Sequence, residues 1–509
     1  MRCEILVGGK AGQGPNILTE ILSQALIKEG YFVFYSRDYQ SLIRGGHNFN
    51  ILSFSDEPVY SNSSKIDVLV SLDESTEKIH SKNLSKNAIV VKFVQGKGNM
   101  FYAGVLFKIL GLEFKILEGE LKNLKKLEEN VKDAKGGYSV ENRILKLEKV
   151  KNKSEGLVLL NGSEATALSV IKSGLDLYYA YPMTPATPLM MELGMAQLEK
   201  NNKHRVIEVE NEIAVALAGI GSATQGKRVM VGTSGGGFDL MTESLSFAAM
   251  AEVPIVFYLA QRPGPGTGVA TYTSQGDLNM ALHAGHGEFF RLVVAPGDNE
   301  ECAKLANDCF YLSHKYRVPS IFLIDKHLGE SKFLFDEKVA LGKIKEIKSS
   351  VKVGERFNSY ESDKKQDDIA TEDAVVIKSN FEKRMANVRD IENEAKELGM
   401  IKVYGNEKSK NLILSWGSTK GAILDALSEI DAKFVQVLYM SPFPTKQVED
   451  LIGKAKEVLV IENNSESPLS RLIAEKTGFI VEDKNKILKY DGRPFFVDEL
   501  AEEIRRGLK

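Results

Sequence analysis

Cysteine is scarce in this chain: Cys3, Cys302 and Cys309 are the only three among 509 residues. No two of them stand in a C-x-x-C, so the chain by itself lacks the ligand set of an iron–sulfur cluster or a structural zinc, and no metal ligands are expected on it. An excess of one charge is missing too. Basic and acidic residues number 66 and 69, a net −3, without the basic field that would mark a general nucleic-acid binder. The most apolar stretch, residues 245–259, is interrupted by Glu252 and Pro254 and is shorter than the roughly 20 residues a membrane helix needs. No short-period repeat is present. The opening MRCEILVGGKAG reads as a strand and a glycine turn, not as a targeting segment. Together with few cysteines and many lysines, this leads us to expect a cytoplasmic protein.

What is present suits a globular protein: 43% apolar and 27% charged residues. The length suggests about three domains. Residues 4–7 read as a buried strand, 8–14 as a glycine turn and 16–29 as a helix closed by Gly30, with a strand at 31–35. This β-turn-α-β order predicts the opening of a parallel α/β domain. Lysine and glutamate then dominate, and we place the first boundary at the stretch holding Glu148, Lys149, Lys151 and Lys153. A second α/β region starts near Gly156, with strands at 157–160, 177–180, 228–233, 254–260 and 320–325 and helices at 162–173, 212–224 and 240–251. Residues 341–402 are polar and lysine-rich, with one helix near 378–398, and read as a connection. A third α/β region begins near Asn411. The expected domains are therefore 1–150, 156–345, a connecting segment 346–405, and 406–509.

Four loops of the second region carry chemistry. Tyr181-Pro182-Met183-Thr184-Pro185-Ala186-Thr187-Pro188 follows a strand; its prolines stiffen the backbone and leave Thr184 and Thr187 free to face a ligand, or else Thr187 caps a helix. Glu208, Glu210 and Glu212 crowd the start of a helix of small residues. The macrodipole favours acids there, whereas a carboxylate buried at a subunit seam can exchange a proton with a heterocycle nitrogen. Gly235-Gly236-Gly237 lets backbone N–H groups approach an anion, although glycine turns join many strands to helices. Arg262, in a proline-stiffened loop at a strand's carboxyl end, is placed to clamp a carboxylate, or is a surface arginine. Four such loops after successive strands converge on the end of a parallel sheet where ligands bind.

This ordered set resembles the alpha subunit of the 2-oxoacid:ferredoxin oxidoreductases, in the 2-oxoglutarate type with a gamma region fused ahead of alpha. The residues that carry the resemblance are YPMTPATPLMMEL at 181–193, EVENEIAVALAGIGSA at 208–223, TSGGGFDLMTE at 233–243, QRPGPGTG at 261–268, QGDL at 275–278 and HGE at 286–288. GGKAGQG at 8–14 and RGGHNFNI at 44–51 are similar to the gamma domain. ILSWGSTKGA at 413–422, VLVIENN at 458–464 and YDGRPF at 490–495 are similar to the transketolase-C-terminal-like domain.

The resemblance implies three α/β domains with mainly parallel sheets: a gamma-type domain, a central pyrimidine-type thiamine-diphosphate domain and a transketolase C-terminal-like domain. It implies that the cofactor lies between two chains. On this chain Glu212 matches the glutamate that activates the aminopyrimidine, with Glu210 as the fallback. Thr184 and Arg262 match the threonine and arginine near the substrate's oxo and carboxylate groups. Tyr181, Pro182, Gly235 and Gly236 fall among the cofactor-binding loops, and Gly12 and Gly14 could cradle coenzyme A or simply turn the chain. No GDG with a following Asn pair is present, so magnesium, diphosphate and a [4Fe–4S] cluster are expected on a beta subunit. The implied reaction is oxidative decarboxylation of 2-oxoglutarate or a related 2-oxoacid with coenzyme A, reducing ferredoxin through that partner. Met183, Ala186, Gly236, Pro263 and Gly266 depart from the family's commoner residues, which leaves pyruvate, branched-chain or aryl 2-oxoacids as alternatives, and a non-catalytic paralogue as another. A standalone CoA-binding flavin-type protein would need a full dinucleotide fingerprint, which is absent.

Overall fold

The structure is a computed structural model, and it describes residues 2–40, 46–145, 147, 150, 154 and 156–508. Arg44 and Gly45 of the 44–51 motif, and the expected boundary residues Glu148, Lys149, Lys151 and Lys153, lie outside the described residues. The chain forms two compact units. One comprises Met1–Leu160, Ser331–Asp336 and Phe496–Leu500, and the other the remainder.

In the first unit the apolar run after Arg2 makes a central strand, β1 (Arg2–Lys10), buried at seven consecutive positions. It is longer than expected: Gly8, Gly9 and Lys10 belong to the strand and not to the turn. Gly8 has to be a glycine, since a Cβ there would meet the Thr76 methyl at 2.7 Å. The helix Pro15–Lys28 follows, then β2 (Phe32–Tyr39), β3 (His47–Ser55), β4 (Ile66–Ser71) and β5 (Leu84–Val91). The sheet is mixed, which corrects the reading of a parallel opening. β1 pairs antiparallel with β3 and parallel with β4, and β3 pairs antiparallel with β2. The physical reason is the short link between β2 and β3, too short for the crossover that parallel neighbours require. The strand β6 (Val158–Asn161), expected in the second region, is the edge of this first sheet, beside the strand Lys332–Phe335.

The second unit has a sheet with β7 (Leu177–Ala180), β8 (Arg205–Glu208), β9 (Val229–Ser234), β10 (Val256–Gln261), β11 (Leu292–Val294) and β12 (Ser320–Asp325). Its order is β11-β12-β10-β9-β7-β8, all parallel. β9, β10 and β12 are buried at every position, as expected of strands covered by helices on both faces. From β7 the chain goes outward to β8 and returns to β9 on the other side. The connections therefore diverge between β7 and β9, the switch point where open parallel sheets bind ligands.

The connecting segment is more structured than a linker. It holds a two-stranded ribbon, Ser362–Asp363 with Ile369–Ala370, and a helix Ala374–Leu398 capped by Asp373. A five-stranded sheet follows, in the order Ile401–Gly405, Lys433–Val437, Asn411–Ser415, Glu457–Glu462, Lys486–Leu488, parallel except for its first strand. The strand Tyr439–Ser441 pairs antiparallel with β11, and one apolar cluster runs from Tyr179 through Trp416 to Val481. Among the described residues no helix is long and apolar enough to cross a membrane.

Candidate active site at the β7–β9 switch point

Glu212 opens the helix Glu212–Ala223 directly after β8. Asn211 caps that helix, its side chain accepting from the Ala214 N–H at 2.9 Å. Small residues let the helix lie close to the sheet; a Cβ on Gly219 would touch Val231 at 2.7 Å. The three acids then separate by burial. Glu208 and Glu210 are exposed, whereas Glu212 is 4% exposed. The Glu212 carboxylate sits against Gly237, where a Cβ would meet Oε1 at 2.7 Å. Among the described residues it makes no hydrogen bond or ion pair.

Gly235, Gly236 and Gly237 do not form an open turn; they are the first residues of a short helix, Gly235–Leu240, entered from Ser234. A Cβ on Gly235 would meet Asp277 Oδ2 at 2.7 Å. Thus two carboxylates flank the glycine run, Asp277 at its first residue and Glu212 at its third. Gly236 is exposed, and a Cβ there would meet only the Gly266 carbonyl at 3.6 Å.

Arg262 follows β10, and its Nη1 donates to the Thr184 carbonyl at 2.5 Å. This bond ties the loop after β10 to the loop after β7. The remaining guanidinium donors and the Thr184 hydroxyl have no hydrogen-bond partner among the described residues. Burial pulls the Arg262 pKa down, partly offset by the nearby Asp277 charge. Burial, reinforced by Asp239 and opposed by Arg262, pushes the Asp277 carboxyl up to about 6. Among the described residues three buried polar atoms here lack a hydrogen-bond partner: Ser234 Oγ, Gln261 Nε2 and Asp277 Oδ2. In a folded interior such atoms are uncommon, and two at the ends of β9 and β10 with a third on Asp277, which is bonded to Gln261, mark a surface suited to something polar.

The sequence-predicted residues of the second unit therefore come together at the switch point: Thr184, Glu212, Gly235, Gly236 and Arg262. Tyr181 and Pro182 lie just beyond β7 with exposed side chains. Thr187 does not cap the helix that follows; it is its first residue, and Ala186 takes the cap position. Sequence reasoning assigned no role to Gln261, Asp277 or Ser234. The available signal was their place inside the quoted TSGGG, QRPG and QGDL motifs. Gln275 of the last motif has a second duty: its side chain donates to the Trp416 carbonyl at 2.8 Å and accepts from the Asn463 N–H at 2.7 Å, pinning the loop to the C-terminal sheet.

In the first unit Gly12 and Gly14 both take positive φ, 89° and 79°, as turn residues without a Cβ readily do. Space beside Gly12 is open, whereas a Cβ on Gly14 would run into the Asn99 amide. His47 and His80 face each other there with Nε2 atoms 2.8 Å apart. Among the described residues no group of three or more His, Cys, Asp or Glu is placed to hold a metal, and all three cysteines are free and buried.

Comparison with known proteins fits this arrangement. Residues 169–400 match the family model described as "Pyruvate flavodoxin/ferredoxin oxidoreductase, thiamine diP-bdg", and residues 4–92 match "Pyruvate ferredoxin/flavodoxin oxidoreductase". The 2-oxoacid:ferredoxin oxidoreductase subunit alpha of Sulfolobus sp is 29% identical over all of this chain and 97% of its own length. The corresponding subunit of Saccharolobus solfataricus is 28% identical over 99% and 98%. The 2-oxoglutarate synthase subunit KorA of Archaeoglobus fulgidus is 29% identical over 60% of this chain and 88% of its own. Among solved structures, a 2-oxoglutarate:ferredoxin oxidoreductase from Magnetococcus marinus, with 2-oxoglutarate, coenzyme A and succinyl-CoA bound, has the same fold, with a TM-score of 0.86 over 100% of both chains at 21% identity. Full-length relatives, two matching family models and a shared fold agree: along its whole length the chain is similar to the alpha subunits of the 2-oxoacid:ferredoxin oxidoreductases.

Proposed function

We propose that this chain supplies the aminopyrimidine half of a thiamine diphosphate site and acts with a beta subunit on 2-oxoglutarate or a closely related 2-oxoacid. The observation that carries the reading is the unpartnered, buried Glu212 carboxylate over Gly237, with unsatisfied Ser234, Gln261 and Asp277 atoms alongside. A flat heterocycle offering both donors and acceptors fits that lining. A carboxylate left without a protein donor is available to share a proton with a ring nitrogen. When bound, thiamine diphosphate supplies the nucleophilic carbon that attacks the 2-oxo group. The chain's own residues hold and orient: Glu212 keeps a proton at the ring, and the free donors of Arg262 take the substrate carboxylate. The Thr184 hydroxyl reaches the oxo group, while Tyr181, Pro182, Gly235 and Gly236 form the walls.

The overall change is loss of CO2 from the 2-oxoacid, transfer of its acyl group to coenzyme A, and passage of an electron pair to ferredoxin through the beta subunit. That partner would hold magnesium, diphosphate and the [4Fe–4S] cluster. The surface beside Glu212 suits a protein partner. Ile213 and Leu217, one turn apart on the Glu212 helix, are 49% and 45% exposed, and Leu240 at the end of the glycine helix is 51% exposed. Apolar side chains clustered next to a site mark a protein–protein surface. We assign the gamma-type role to residues 1–150, cofactor binding to 156–345, a connection to 346–405 and the transketolase C-terminal-like role to 406–509. Gly12, beside open space, is a better coenzyme A contact than Gly14, which is packed on Asn99.

The test is co-expression with a cognate beta chain, purification without oxygen, and 2-oxoglutarate- and CoA-dependent reduction of a low-potential dye. Activity that the isolated chain lacks supports the shared site. Faster turnover of pyruvate than of 2-oxoglutarate would overturn the substrate assignment. A complex that binds thiamine diphosphate but turns over no 2-oxoacid would overturn the catalytic one.

A further inference from the structure

We propose that Asp277 is a positioning residue of this site that takes up a proton when a 2-oxoacid carboxylate binds beside Arg262, and then donates a hydrogen bond where its ionised form would repel. The inference rests on the reading above that Arg262 receives the substrate.

Its foundation is geometric. The Asp277 carboxylate lies against Gly235, with Oδ2 and Oδ1 at 2.7 and 3.0 Å from where a Cβ would stand. Oδ2 is closed off from solvent and, among the described residues, has no hydrogen-bond partner. The residue cannot easily swing away. Its N–H donates to Gln261 Oε1 at 3.0 Å, so it is tied to the residue preceding Arg262. Gln275, two positions back, is fixed to Trp416 and Asn463. Two charged groups act on it from neighbouring elements: Asp239, on the glycine helix, disfavours ionisation, and Arg262, on the loop after β10, favours it.

Occupation of Arg262 by a substrate carboxylate removes that single supporting charge and adds a negative one nearby. Burial and Asp239 then stand unopposed, and the carboxyl binds a proton. One O–H bond forms on Asp277, the proton comes from solvent, and no bond of the substrate changes. The neutral acid gives the substrate a donor in place of a repulsive charge. Substrate affinity is thereby linked to proton uptake.

The experiment uses the assembled complex with its beta chain and 2-oxoglutarate as the probe. Calorimetry in buffers of different ionisation heat reads proton uptake on binding, and steady-state assays across neutral pH read KM. The wild type is expected to take up a proton and to show KM rising toward about tenfold per pH unit on the alkaline side. In Asp277→Asn, which keeps a donor but cannot ionise, both the uptake and the slope in KM disappear. In Asp277→Ala the slope also disappears and KM rises at every pH. The same proton uptake in wild type and Asp277→Asn, or no binding of 2-oxoglutarate to the complex, overturns the proposal. Because uptake is read without turnover, a complex that binds with Asp277-dependent uptake yet does not react refutes the catalytic reading and leaves this one standing. A reactive complex with no uptake does the reverse.

Discussion

Two buried glutamates of the second unit show what burial alone does not. Glu212 and Glu301 both lie in the first turn of a helix, and both are almost fully buried, at 4% and 1% exposure. Glu301 is saturated. It accepts from Lys420 at 2.6 Å, Lys402 at 2.8 Å, Gln436 at 2.6 Å and the Gly297 N–H at 2.8 Å. Lys420 also pairs with Asp298, so the group holds the C-terminal sheet to the helix Asn299–Tyr316. Glu462 is similar, accepting from Trp416 Nε1 at 2.9 Å and from Asn464, Ser467 and the Leu469 N–H. Glu212 has none of this. A buried charge that the protein pairs is a structural device; on the function proposed above, the one left unpaired is held for a ligand.

The largest effect that tests this contrast is on turnover. Glu212→Gln should lower kcat of the assembled enzyme by about 10²–10⁴-fold, the range for loss of a general acid–base group. Its unfolding midpoint should not fall, since no protein hydrogen bond is lost. Stopped assays and a thermal melt of the same preparation check both halves, and a melt lowered by many degrees would place Glu212 with Glu301 as a structural carboxylate.

The converse variant is Lys420→Met. It removes the buried cation from Glu301 and Asp298, and breaking such a pair costs about 3–5 kcal/mol. A lower denaturation midpoint is expected, and loss of activity only where the fold is lost. Burial pushes the Glu301 carboxyl up, but Lys420 and Lys402 outweigh it and hold its pKa below the ordinary 4.5. A depressed folded-state pKa contributes stability that is present above the unfolded value and lost as pH falls through the folded one. The wild type should therefore lose this contribution below pH 4.5, and Lys420→Met, which has less of it, should show a shallower acid dependence.

A smaller effect separates adjacent glycines. Gly237→Ala drives a methyl into Glu212 and Thr233, an overpacking worth about 1–3 kcal/mol, and should depress turnover by displacing the carboxylate. Gly236→Ala meets only the Gly266 carbonyl and should change turnover little. Equal effects of the two would mean that the glycine run acts through backbone freedom and not through room for Glu212.

That these loops gather at one end of the sheet was legible in the sequence, because each stands at a strand end in an ordered set of motifs and parallel α/β sheets gather such ends. Order alone could rank Glu212 over Glu210 only by its place in the NEIA spacing; burial separates them, because it depends on which helix face meets Gly237. Asp277 could not be singled out. Its significance lies in an unpaired oxygen and in the approach of Gly235, a contact between residues 42 positions apart. The mixed sheet of the first unit was misread for a similar reason. A strand–helix–strand order suggests parallel neighbours, but which strand inserts beside β1 is decided by the short return into β3 and by pairing with β4.

Asp277 gives the comparison its finest edge, since its dependence on pH is opposite in sign to that of Glu301. Its folded-state pKa is raised from 3.8 to about 6, by burial first and Asp239 second. A raised carboxyl pKa means that ionisation works against the fold: the favourable state is fully present below the unfolded value and is lost as pH rises through the folded one. Asp277→Asn keeps the shape and removes the charge, so the variant should be more stable than the wild type near neutral to alkaline pH. The two-unit shift sets an upper figure of about 3 kcal/mol; because the residue keeps some solvent contact that screens its charge, a gain of about 1 kcal/mol is expected. Denaturant titrations at mildly alkaline pH and again near pH 4 check it, with the gain present in the first and absent in the second. A gain of equal size at both would trace the effect to packing, and the unpaired carboxylates of the site would then have to be distinguished from Glu301 by their partners alone and not by their charge.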